Sequence, residues 1–236
     1  MAILSGIALG LLLLNRFFAS PRVDMVAGFW WLSWLIAFAL PPLMGACVFL
    51  AEQEGQRFRF FAARGIPARQ VWLGKHLVWL PMTELAGTIA CGVTIATWAF
   101  LQSMPMGQVW ANWPLAFFGL LWPFVGYSAG QFVSMLIPRG LLAGVVALVL
   151  AACVASWKAL MGWLGVNLFL SVAPIPVVLM LITWLRAPEW MLERHKLGSW
   201  LRIAGVLTAS AAALIGVVAA YRMYEIPARE PGFSPD

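Results

Sequence analysis

Glu52-Gln-Glu-Gly-Gln-Arg57-Phe-Arg-Phe-Phe-Ala-Ala-Arg64-Gly-Ile-Pro67-Ala-Arg69-Gln-Val-Trp-Leu-Gly74-Lys75-His76 is a long hydrophilic stretch set between two apolar runs. It holds Glu52, Glu54, Arg57, Arg59, Arg64, Arg69 and Lys75, the densest charge in the chain. The flanking runs, 27–51 and 77–101, each meet the length of about 20 apolar residues that a membrane-spanning helix needs. The stretch therefore reads as a polar connection between two spans. Arg57 to Arg64 suits a helix with Phe58, Phe61 and Ala62 on one face. Gly65 suits the left-handed stop of that helix, and Pro67 suits the start of another, running through Trp72 and Lys75 into the next span. On the residues alone, this helix–break–helix elbow and a solvated loop with membrane-facing aromatics stand as equal alternatives.

The rest of the chain agrees with a bilayer. Hydrophobic residues make up 63% and charged residues 10%, against about 25% charged in soluble domains. Apolar runs fall at 1–17, 27–51, 77–101, 113–137, 140–158, 167–186 and 201–221. The expected fold is an all-α, polytopic transmembrane helix bundle of about six to seven spans over residues 1–221, with 52–76 as a cytoplasmic elbow. The first run lacks a basic start, so it reads as a retained helix and not as a signal peptide. Of the 15 Lys and Arg residues, 10 fall on the side of the elbow, which by the positive-inside rule places the elbow in the cytoplasm. The net charge of +6 is thereby an orientation signal. Nucleic acid is not expected as a partner, because no basic face with interleaved aromatics lies outside the membrane flanks. Most tryptophans fall at the two interfaces, while Trp34 and Trp122 lie deeper and read as packing residues.

Pro41-Pro42, Pro81, Pro123, Pro174 and Pro176 interrupt the spans. Each removes a backbone donor and bends a helix, and a shape that fits neighbouring helices is favoured over a hinge. Small pairs four apart, Gly6/Gly10, Gly126/Gly130 and Gly140/Gly144, suit close helix contact. Segment 156–167 is expected as an interfacial or re-entrant helix. Segment 186–202 is expected as a short cytoplasmic amphipathic helix started by Pro188 and ended by Gly198. Residues 222–236 are expected as an extended outer tail. Cys47, Cys91 and Cys153 are too far apart for a zinc site or a disulfide framework and read as buried apolar residues. No metal site is expected. Glu84 lies about two turns into the third span. A charge there costs about 2.5–3.5 kcal/mol on insertion scales, so it should face other helices or water, or carry a proton. A structural hydrogen bond near Gln131 or Ser134 is favoured over a gate or a substrate contact.

The order of residues in the elbow resembles the coupling region of ABC transporter permeases of the second exporter type. The matching features are Glu52 and Glu54 ending a span, the helix Arg57 to Arg64, the break Gly65-Ile66-Pro67-Ala68-Arg69, and Gly74-Lys75 entering the next span. The layout of spans, with a re-entrant segment before the sixth, is also similar. The resemblance implies the permease subunit of an ATP-driven exporter in the plasma (inner) membrane. Two permeases would pair, as a homo- or heterodimer, and a separate ABC ATPase would dock on Glu52, Glu54, Arg57, Arg59, Arg64, Gly65, Pro67, Arg69, Gly74 and Lys75. The chain has no Gly-x-x-x-x-Gly-Lys-Ser/Thr, so ATP is expected on the partner chain and none is bound as a cofactor here. No catalytic residue is expected. The absence of a charged pathway in the spans favours a lipidic or hydrophobic cargo.

Two other classes are weighed. Glu52-x-Glu54 and Arg57 echo the Glu-Glu-x-x-x-Arg box of intramembrane prenyl-protein proteases, but the glutamates are not adjacent, and His76 and His195 read as border residues outside the spans. A non-transporting membrane anchor or assembly subunit would have much the same sequence. A partner ATPase bound to the elbow separates it from a pump.

Overall fold

In the computed structural model, residues 23–54, 58–101, 113–166, 171–192 and 197–229 are described. They form seven helices and no strand. These are α1 (Val23–Glu54), α2 (Phe58–Ala63), α3 (Ala68–Leu101), α4 (Trp113–Leu136), α5 (Gly140–Trp163), α6 (Pro174–Met191) and α7 (Leu197–Arg229). The all-α bundle is the architecture expected from the apolar runs.

Four helices are long and apolar enough to cross a membrane by length and composition: α1 over Gly28–Leu50, α3, α5, and α7 over Trp200–Tyr224. The chain is a multi-pass helical membrane protein. Six to seven spans are therefore too many for the described residues. The run 1–17 lies outside them. α6 is 18 residues long and carries Arg186 and Glu189. α4 is diluted by Pro123, Gly126, Tyr127, Ser128, Gly130, Gln131 and Ser134.

That dilution has a packing reason. α4 lies at the centre, against α1, α3, α5 and α6. Ser128, Gln131 and Ser134 are fully buried in protein, so they never meet lipid and do not incur its penalty for polar groups. Lipid tails are as apolar as leucine, so helices in a bilayer associate through close packing of small residues. α1 and α4 do this through interlocked prolines and glycines. A Cβ on Gly130 would lie 2.0 Å from the Pro42 carbonyl oxygen, and one on Gly126 would lie 2.8 Å from Pro41 and Pro42. A Cβ on Gly45 would meet the Tyr127 carbonyl at 2.3 Å. α3 joins the same node, where a Cβ on Gly87 would strike the Pro123 ring at 2.6 Å. Pro41, Pro42 and Pro123 are fully buried there, as expected of prolines that set shape.

Three connections depart from expectation. Residues 156–163 are the last turns of α5 and not a separate re-entrant helix. Nothing interrupts that run until Gly165, whose φ of 71° lets Gly165 and Val166 donate back to Gly162 and Met161. Pro188 does not start a helix. It lies inside α6, and its carbonyl accepts from Leu192 just past the helix end. Gly198 lies within α7 instead of ending a helix, and residues 193–196 are outside the described set. α7 continues to Arg229, so residues 222–229 are helical and not extended; residues 230–236 are outside the described set. Cys47 and Cys153 are exposed on the helix surface, and only Cys91 is buried. Trp122 is buried, but Trp34 is 42% exposed.

Candidate functional site

The elbow folds as a short helix, a glycine stop and a new helix. Gly65 has a φ of 68°. Its N–H donates to Ala62 and that of Ile66 to Phe61, the paired bonds that close a helix with a left-handed residue. The Pro67 carbonyl then accepts from Gln70 and Val71, so Pro67 stands just before the first residue of α3. This is the helix–break–helix alternative, not the loop.

Three contacts tie the elbow to the bundle. Lys75 Nζ lies 2.6 Å from Glu52 Oε2 and donates to the Val48 carbonyl at 2.8 Å, which fastens the start of α3 to the end of α1. Phe58 is buried against Trp190 of α6 at 5.7 Å, and Trp190 in turn meets Phe49 of α1 edge-on at 5.0 Å. Trp72 donates from its indole to Thr183 of α6 at 3.2 Å and packs edge-on to Trp184 at 5.0 Å. Arg69 lies over the Trp184 ring at 5.5 Å, a cation–π contact.

The other candidate residues divide by exposure. Arg59 and Arg64 are exposed, and Arg64 lies 4.1 Å over the Phe60 ring. Phe60 is itself 52% exposed. Gly65, Pro67 and Gly74 are exposed, and a side chain at Gly65 or Gly74 would meet no neighbour. The elbow surface thus offers arginines and an aromatic ring. Arg57 and the side chain of Glu54 lie outside the described residues. A groove lined by Glu52, Phe61, Ile66, Gln70 and Lys75 runs beneath the elbow.

Glu84 is half-buried on α3. It does not make the expected bond to Gln131 or Ser134. Gln131 turns to His76 and Met180, and the Ser134 hydroxyl donates to the Gln131 carbonyl. No group of three or more His, Cys, Asp or Glu that could hold a metal occurs among the described residues.

His76 corrects the sequence reading. It is not merely a residue at the edge of a span; it is buried against the other helices, within α3, at 4% exposure. Its ring stacks on Trp72 at 3.8 Å and meets Phe49 and Tyr127 at 5.8 and 5.6 Å. The available signal was spacing. His76 follows Trp72 by four residues, which puts both on one helix face, and Trp72 is apolar enough to face inward.

Away from the elbow, Trp30, Trp34, Phe38, Trp98 and Trp122 help line an apolar cleft of about 180 Å³ between α1, α3 and α4. Trp34 stacks on Phe38, and Phe38 on Trp122. The one hydroxyl in this wall, Thr94, donates to Ala90 of its own helix. The cleft wall is therefore mostly rings and aliphatic carbon, with the Cys91 thiol among them.

No family model, curated protein or solved structure matches this chain.

Proposed function

We propose that the chain is the membrane subunit of an ATP-driven exporter of the permease type it resembles, moved by a separate ATPase through the elbow at 52–76. The observation that carries this reading is the anchoring of the elbow. The Glu52–Lys75 pair, the Phe58–Trp190 contact and the Trp72–Thr183 bond join one exposed, arginine-bearing surface to α1, α3 and α6 together. A push on such a surface displaces three helices at once, whereas a solvated loop would absorb it. In this reading the elbow faces the cytoplasm of a plasma (inner) membrane, two permeases pair, and ATP is bound and hydrolysed on the partner chain. The apolar cleft suits a lipidic or hydrophobic cargo. This chain supplies no catalytic group.

Cysteine crosslinking tests the reading. Arg64→Cys and Arg69→Cys are introduced into the full chain, which is co-expressed with its candidate ATPase. A crosslink from either position, together with substrate-dependent ATP hydrolysis, is the expected result. An intact complex with no crosslink from the elbow favours the anchor reading, and surface labelling of Arg64→Cys from the outer side would end the pump reading.

A further inference from the structure

We infer that His76, Gln131 and Met180 form a proton-binding site inside the bundle, in which the charge on the imidazole decides how α4 meets α6. The ring has two nitrogens and two oxygen neighbours. Nδ1 is 2.7 Å from the Trp72 carbonyl, and Nε2 is 3.3 Å from Gln131 Oε1. A carbonyl oxygen only accepts, so this arrangement is fully bonded only when both nitrogens carry hydrogen, that is, in the imidazolium form. The Trp72 face at 3.8 Å and the rings of Phe49 and Tyr127 supply a cation's aromatic surroundings.

Loss of one proton changes the partners. Nδ1 must keep its hydrogen, because the Trp72 carbonyl has none to give. Nε2 then becomes an acceptor facing another acceptor. The Gln131 side chain is fully buried, so the mismatch is not relieved by water at the surface. Turning the amide over resolves it, with Gln131 Nε2 donating to the ring. However, that same Nε2 now donates to Met180 Sδ at 3.3 Å, linking α4 to α6. After the turn an oxygen faces the sulfur, and the contact is lost. One proton is therefore exchanged for one interhelix bond.

The charged and titratable groups around the ring are few. On α1 the nearest is Glu52, held by Lys75. On α3 they are Lys75 itself, adjacent in sequence, and Glu84 two turns on. α4 presents Tyr127 beside Gln131. α6 presents Thr183, which accepts from the Trp72 indole, with Arg186 and Glu189 on its following turns. Among these, Gln131 is the group whose reversal follows the proton. The inference holds whether or not the chain is part of a pump.

The chain has two histidines, His76 and His195. A full-length His195→Asn protein in lipid nanodiscs, with ¹⁵N-labelled histidine and ¹³C-methyl methionine, leaves one imidazole to follow. Between about pH 5 and about pH 9, the ring is expected to pass from two protonated nitrogens to Nδ1–H alone, and the Met180 methyl signal is expected to shift at the same midpoint. Gln131→Leu is expected to remove the Met180 response. An imidazole that keeps one protonation state across that range overturns the inference, as does a titration that leaves the Met180 signal still. These outcomes are read in the unsubstituted site, so they decide the matter even if Gln131→Leu does not fold.

Discussion

At the scale of single residues, the glycines divide into two kinds. Gly130 has the Pro42 carbonyl where a Cβ would sit, and backbone cannot give way as a flexible side chain can. Gly130→Ala is expected to force α1 and α4 apart and to cost about 3 kcal/mol or more, the upper range for overpacked cores. Thermal unfolding in detergent should show the loss as a lower midpoint. Gly74→Ala is the opposite case: its site is open and helical, so the exchange should stabilise α3 by up to about 1 kcal/mol. The Glu52–Lys75 pair makes a second residue-level test. Lys75→Met alone strands the carboxylate of Glu52, whose side chain is only 17% exposed. The Glu52→Gln, Lys75→Met double variant removes both charges. It should recover most of the stability that the single variant loses, because an unmatched buried charge costs more than a missing pair.

At the scale of elements, the short helix α2 is anchored through its aromatic side. Phe58 is 5% exposed against Trp190, while Arg59 and Arg64 stand outside. Phe58→Ala is therefore expected to release α2. Amide hydrogen exchange over residues 58–66 should speed up by roughly tenfold, while α4 stays protected; tenfold corresponds to about 1.4 kcal/mol of local opening. Much of this element was legible in the sequence. Gly65 and Pro67 marked the break because glycine adopts the left-handed stop without steric cost while proline fixes φ and lacks an N–H. Helix ends without such a residue were harder. Pro188 was misread as a start because proline is free of cost only in a first turn, whereas here it lies inside α6 and its missing N–H removes one bond of that helix. The segment 156–167 looked like a separate helix too short to span, because its continuity with α5 depends on having no breaker before Gly165. The polar core was least legible. Nothing local distinguishes Gln131 facing His76 from Gln131 facing Glu84; that choice is made by how α3 and α4 are rotated at the Gly87–Pro123 contact.

At the scale of the whole molecule, the bundle is uneven. α1, α3, α4 and α5 share a core, whereas α7 touches α6 and little else. Ile203 is its one buried side chain among those described, and Arg186 reaches it through a cation–π contact with Trp200 at 4.7 Å. A chain ending after Leu192 should therefore keep its fold, losing about 2–4 kcal/mol at most, roughly the packing contacts of one isoleucine and a cation–π pair on the buried Arg186. Circular dichroism and the unfolding midpoint of the shortened protein in detergent would check this. Collapse of the remaining helices would show that α7 supports them by a route not visible in its contacts.

The meeting of Pro41 and Pro42 with Gly126 and Gly130 has a mechanical consequence. Gly130 there faces the Pro42 backbone and Gly126 faces the rigid rings of Pro41 and Pro42, with no flexible side chain to compress, so α1 and α4 are far stiffer against sliding at that level than above or below it. The node acts as the fulcrum of a see-saw. Displacement of the Glu52 end of α1 in one direction must appear at the Trp30 end in the other, with its size set by the distance from each end to the prolines.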